Sequence, residues 1–152
     1  SINCTQCHEV GNTSIPIGPK ARNLNFVFKG ENQLQYFIDK GLLAGDPQLS
    51  EIDALPAWDD LSFSLEERAR AYIDVNCAHC HQPGGLHNSN TTGRPDFRFE
   101  ISAGGETFAG FEEDIKSRTS TLPAYGPSMP LIGITEIHTE GIDLIHEYMD
   151  SL

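Results

Sequence analysis

Residues 64–81 read SLEERARAYIDVNCAHCH, and this stretch decides how the rest of the chain is read. Ser64, followed three residues later by Glu67, is a capping box. Its hydroxyl meets the Glu67 backbone and the Glu67 carboxylate reaches back. Leu65, Ala69, Tyr72, Ile73 and Asn76 then continue one helical face. The spacing predicts a helix that delivers the chain directly to Cys77, with Cys80 and His81 following at a tight turn.

Working outward, the pattern C-x-x-C-H occurs twice, as Cys4-Thr5-Gln6-Cys7-His8 and as Cys77-Ala78-His79-Cys80-His81, and the two strings use all four cysteines. Two cysteines three apart at a tight turn each form a thioether to one vinyl group of the same haem. The next residue then lies beneath the iron as its imidazole ligand. Zinc held by four thiolates is the competing chemistry for two C-x-x-C pairs. It treats both following histidines as accidents in a chain that has only six. A dithiol redox pair meets the same objection. The strings therefore predict two covalently bound haem c groups, attached at Cys4 and Cys7 and at Cys77 and Cys80, with His8 and His81 as iron ligands.

Composition agrees with that expectation. Only 38% of the 152 residues are hydrophobic and 9% aromatic, beside 14 Gly and 9 Pro, so a core made of protein alone is thin. Small domains of this kind usually need a staple or a metal. The formal charge is −12, from 22 acidic and 10 basic residues. That balance argues against nucleic acid and anionic membrane as partners and for a basic or neutral protein surface, although solubility alone also favours acidity. No apolar run approaches the ~20 residues of a membrane span. The sequence starts three residues before Cys4 and is read as a mature or excised piece of a longer exported protein.

Along the rest of the chain, Leu34, Phe37, Ile38 and Leu42 predict a helix near Glu31 to Leu43, closed by Gly41 and Gly45. A linker from about Ala44 to Phe63 separates two haem-bearing halves, taken as domains 1–55 and 56–152. Residues 82–105 read as loop, and Phe108, Phe111 and Ile115 suggest a short helix near Phe108 to Arg118. Pro123, Pro127 and Pro130 hold an extended segment. A last helix spans Thr139 to Leu152, with Ile142, Ile145, Tyr148, Met149 and Leu152 on one face and Thr139 as its N-cap. The fold class expected is all-α and loop-rich.

From Ser64 onward the chain resembles a class I cytochrome c, in a helix ending in the haem string, a loop layer, a methionine followed by proline, and a C-terminal helix. The resemblance implies that Met129, in Ser128-Met129-Pro130, is the sixth ligand opposite His81, and that the last helix crosses the one before the string. The N-terminal half, residues 1–55, resembles the same family less completely. There Gly18-Pro19 matches the proline whose carbonyl accepts a hydrogen bond from the proximal imidazole, which implies that role for Pro19 toward His8; Pro95 is the looser counterpart for His81. The whole chain is similar to the dihaem cytochrome module at the end of larger secreted bacterial proteins, with matching pieces at Asn32-Gln33-Leu34, Arg68 to His81 and Met129 to Gly141.

No methionine precedes Met129, so the sixth ligand of the first haem comes from elsewhere. His138, after Ile134 and Ile137 and just before the last helix, is the leading candidate; Lys20 and an open or water-bound iron are the others. His79, His87 and His146 read as solvated. Arg22, Arg94 and Arg118 are candidates to pair with haem propionates. The function expected is electron transfer between redox partners, either separate redox proteins or an attached oxidoreductase domain, without catalysis of its own. The alternative is a small peroxidase-like enzyme or a haem-based sensor using an open N-terminal iron. Haem is attached after export in bacteria, so the expected location is periplasmic or extracellular.

Overall fold

The structure, a computed structural model, describes residues 8–15, 17, 20–45, 48–87, 93, 95–131 and 133–152. In chain order the elements are β1 (Glu9–Val10), β2 (Thr13–Ser14), α1 (Ala21–Leu24), β3 (Val27–Phe28), β4 (Glu31–Asn32), α2 (Gln33–Asp39), a 3-10 turn at Leu49–Glu51, α3 (Leu65–Cys77), a second 3-10 turn at Glu106–Phe108, α4 (Glu112–Thr119) and α5 (Thr139–Asp150). Helix is the main regular structure among the described residues. The chain is not all-α, because β1–β2 and β3–β4 form two-residue antiparallel hairpins. Gly11 and Asn12 in one turn, and Lys29 and Gly30 in the other, have positive φ, as a two-residue hairpin loop of type I′ requires.

The chain groups into two units. The described residues of Ser1–Ile17 join Ala57–Leu152, and Gly18–Pro56 stands by itself. This differs from an N-terminal and a C-terminal half meeting at residue 55. The hairpin after the first string is tied to the loop after the second, where Gly11 N–H donates to the Gly84 carbonyl at 3.1 Å. Gly84 has φ +82°, and a Cβ there would stand 3.0 Å from the Gly11 nitrogen, so the approach needs glycine.

The larger unit is built on α3. Ser64 starts it as expected, its Oγ accepting from Glu67 N–H at 3.2 Å while the Glu67 carboxylate accepts from Ser64 N–H at 2.9 Å. Against α3 packs α5, which also packs on α4. Ala69 and Ile73 from α3 meet Leu144, Ile145, Tyr148 and Met149 from α5, with Phe97 and Phe108 filling the space between. Gly141 sets the closeness of the α3–α5 crossing, since a Cβ on it would overlap the Tyr72 ring and the His138 imidazole. Arg70 and Asp74, both buried, pin the following loop. Arg70 donates to Ser102 Oγ at 3.2 Å and to the Phe99 carbonyl, and Asp74 accepts from Phe99 N–H at 2.9 Å.

Two boundaries shift for local reasons. The segment near Phe108 to Arg118 is a 3-10 turn and then α4, interrupted at Gly110 with φ +81°. In α5, Thr139 is already helical and His138 is the N-cap.

The unit Gly18–Pro56 is held differently. Among its described residues only Leu34 is buried, while Phe26, Val27, Phe28, Tyr36 and Leu42 are exposed. Its order comes from two asparagines. Asn32 caps α2 by accepting from Leu34 and Gln35 N–H, and its own amide donates to Asn25 Oδ1 at 2.8 Å. Asn25 in turn donates to the Leu49 and Ile52 carbonyls. The helix is shorter than Glu31 to Leu43 because Asn32 starts it and Gly41, at φ +67°, stops it. Among the described residues no helix is long and apolar enough to cross a membrane.

Candidate functional site

Cys77 is the last residue of α3, and the backbone keeps curling after it. Cys80 N–H and His81 N–H both donate to the Cys77 carbonyl, at 3.1 and 3.0 Å. One tight turn therefore gathers Cys77, Cys80 and His81, and all three line a single cavity of about 610 Å³. That volume lies within the roughly 300–1,000 Å³ of ordinary ligand pockets. Its walls are largely apolar: Ile73, Phe97, Ile115, Leu131, Ile134 and Ile145 contribute, with Met129 and Pro130.

The string is sheltered. His81 is buried, and two rings lie nearly parallel to its imidazole: Phe97 at 4.6 Å between centroids and 29°, His87 at 5.0 Å and 26°. Both cysteines are partly buried. Burial, then the neighbouring Cys80 and Asp74, pushes the Cys77 thiol up to about 12, so it is neutral near pH 7. Burial, then Cys77, also raises the Tyr72 phenol.

Met129 reaches the cavity from turns and bends between α4 and α5 where an extended segment was expected; Tyr125 N–H closes one such turn on the Leu122 carbonyl at 2.9 Å. The Met129 backbone N–H donates to the Arg118 carbonyl at the end of α4, at 3.0 Å, and the buried Ser128 hydroxyl donates to the Pro130 carbonyl at 3.0 Å. Arg118 itself lines the cavity, beside Asp114. The buried Pro95 does so too. His8 stands on the same cavity wall as the second string. Cys4, Cys7, Pro19 and Arg94 lie outside the described residues.

His138 is placed elsewhere. Its Nδ1 is 2.8 Å from the Tyr72 hydroxyl, its ring meets Trp58 edge-on at 4.9 Å, and its Nε2 is 3.8 Å from Glu140. It is absent from the lining of the cavity that holds Met129. Lys20 sits at the start of α1, where its backbone N–H donates to Asn23 Oδ1 at 2.7 Å. Arg22 belongs to α1 in the smaller unit.

Three histidines read as solvated are not. His146 is half-buried, with its Nε2 3.3 Å from Thr119 Oγ1. His79 and His87 are partly buried on the cavity wall. The signal for His87 was Gly84-Gly85 within a short return to the string; a pair of glycines permits the chain to double back on Cys80.

Among the described residues, no three His, Cys, Asp or Glu side chains converge so as to hold a bare metal ion. What converges is a donor set of another kind, two thiol positions, an imidazole and a thioether sulfur around an apolar space. Compared with protein-family models, with curated proteins and with solved structures, the chain matches none of them.

Proposed function

We propose that the chain is a dihaem c-type cytochrome that passes single electrons between redox partners. The observation that carries this reading is that Cys77, Cys80, His81 and Met129 share one apolar cavity of about 610 Å³. The donor chemistry fits the group. Histidine nitrogen with methionine sulfur is a ligand pair typical of cytochromes c. A covalently held haem supplies, when bound, a one-electron iron couple.

The chain's own residues do the rest. Cys77 and Cys80, both on the cavity wall, would hold the macrocycle through thioethers. His81 and Met129, on the wall of the same cavity, would hold its iron. Ile73, Ile115, Leu131 and Ile145 keep water away, which raises the cost of charge on the iron and so tunes its potential. Arg118, on the wall, offers a guanidinium to a propionate. The packing of α3 on α5, with the string at the end of α3, supports a class I cytochrome c arrangement for residues 56–152.

Cys4, Cys7 and His8 form the second attachment site in this reading. The position of His8 on the wall of the Cys77/Cys80 cavity supports a short path for electrons between the two haems. The function belongs in the periplasm or outside the cell, with redox proteins or an attached oxidoreductase domain as partners. The acidic balance of the chain favours a partner with a basic face.

The test is direct. Expressed with haem-attachment machinery, the chain should carry two covalent haems by the pyridine haemochrome assay. Met129→Ala should abolish the sulfur-to-iron charge-transfer band and turn one haem high-spin. A purified chain without covalent haem, or a Met129→Ala spectrum identical to the parent's, would sink the assignment.

A further inference from the structure

We infer that His87 is a positioning residue for His81: together with Phe97 it fixes the rotation of the His81 imidazole beneath the iron. The inference rests on the reading of His81 as an axial ligand.

The geometry is local and specific. The two rings nearly parallel to His81 are both brought there by backbone bonds to the string itself. His87 N–H donates to the Cys80 carbonyl at 2.9 Å, and Phe97 N–H donates to the His81 carbonyl at 2.9 Å. Consecutive carbonyls of the attachment string thus each hold one flanking ring. The turn that returns His87 to Cys80 also depends on Gly85, whose N–H donates to the Gln82 carbonyl at 3.0 Å. A Cβ on Gly85 would stand 2.6 Å from the Cys80 carbonyl oxygen, closer than real contacts allow. Any larger residue pushes the loop, and His87 with it, away from the string.

An imidazole with flat rings stacked at 4.6 and 5.0 Å cannot swing about its Cβ–Cγ bond without striking one of them. The orientation of an axial imidazole relative to the macrocycle sets the anisotropy of a low-spin ferric centre and contributes to its potential. His87 acts here through its flat shape, so phenylalanine can replace it and alanine cannot.

The experiment compares ferric EPR spectra of the holoprotein with those of His87→Ala, His87→Phe and Gly85→Ala. The signal followed is the one that Met129→Ala alters. In His87→Ala and Gly85→Ala it should broaden and shift while covalent haem content stays at the parental level, and the midpoint potential should move with it. His87→Phe should restore the parental spectrum. A parental signal in both His87→Ala and Gly85→Ala overturns the proposal, and so does a shifted signal in His87→Phe. Absence of covalent haem in the unmutated chain removes the reading of His81 as well as the clamp. Haem present with an unmoved signal removes the clamp alone.

Discussion

At the scale of single residues, Tyr148 stands apart. It is buried among Phe108 and the α5 core, with its hydroxyl lacking a hydrogen-bond partner among the described residues. A buried donor left unmade costs roughly 1–3 kcal/mol, whereas removing it along with its shape preserved does not. Tyr148→Phe should therefore stabilise the protein by about 1 kcal/mol, read as a higher urea midpoint. Glu67 gives a pH signature. Hydrogen bonds from the Ser64 side chain and then its backbone N–H hold the Glu67 carboxyl below its ordinary value. The unfolded chain thus binds the proton more readily, so this contribution is present above the unfolded value and lost as pH falls through the folded one. Glu67→Gln keeps the capping geometry without the titration. Its urea midpoint should change less than the parent's as pH is lowered through the carboxylate range.

At the scale of elements, the α3–α5 crossing turns on one glycine. Gly141→Ala places a methyl group into the Tyr72 ring and the His138 imidazole. Overpacking of this kind costs about 1–3 kcal/mol, and calorimetry should show a lower melting temperature without loss of helix. The start of α3 and the attachment string were legible because each is a local pattern: a cap three residues from its partner, and two cysteines three residues from one another. The place of Met129 was legible only through the resemblance, since its neighbours carry no periodicity. Phe97 was not legible, and the one trace of His87 was the Gly84-Gly85 pair before it. Ring stacking there depends on a loop closing on Cys80 and on Phe97 bonding to His81, and neither contact leaves a periodic trace. The hairpins β1–β2 and β3–β4 escaped for a related reason, because strands of two residues are too short to alternate. His138 was read as a ligand of the first haem from its apolar neighbours; what the structure adds is that Tyr72 and Trp58 contact its ring at the N-terminus of α5.

For the whole molecule, the net charge of −12 gives the proposed electron-transfer reading a kinetic signature. A cationic one-electron reagent should react faster than an anionic one of similar potential, and the difference should shrink as salt is raised, because screening shortens the reach of the field. Stopped-flow rates at two ionic strengths check this. The unit Gly18–Pro56 has one buried apolar side chain among its described residues, too little to offset the ordering of its chain. The peptide 18–56 alone should show a coil-like circular dichroism spectrum. One consequence concerns timing. The walls around Cys77 and Cys80 include Ile145, and the core beneath them needs Tyr148 and Met149 from α5. The end of that helix, Asp150, lies 70 residues after Cys80 (150 − 80), which is on the order of ten seconds of translation at roughly 5–20 residues per second. Until α5 has packed on α3 the cavity around the two thiols lacks a wall, so the site is complete only once that helix has docked.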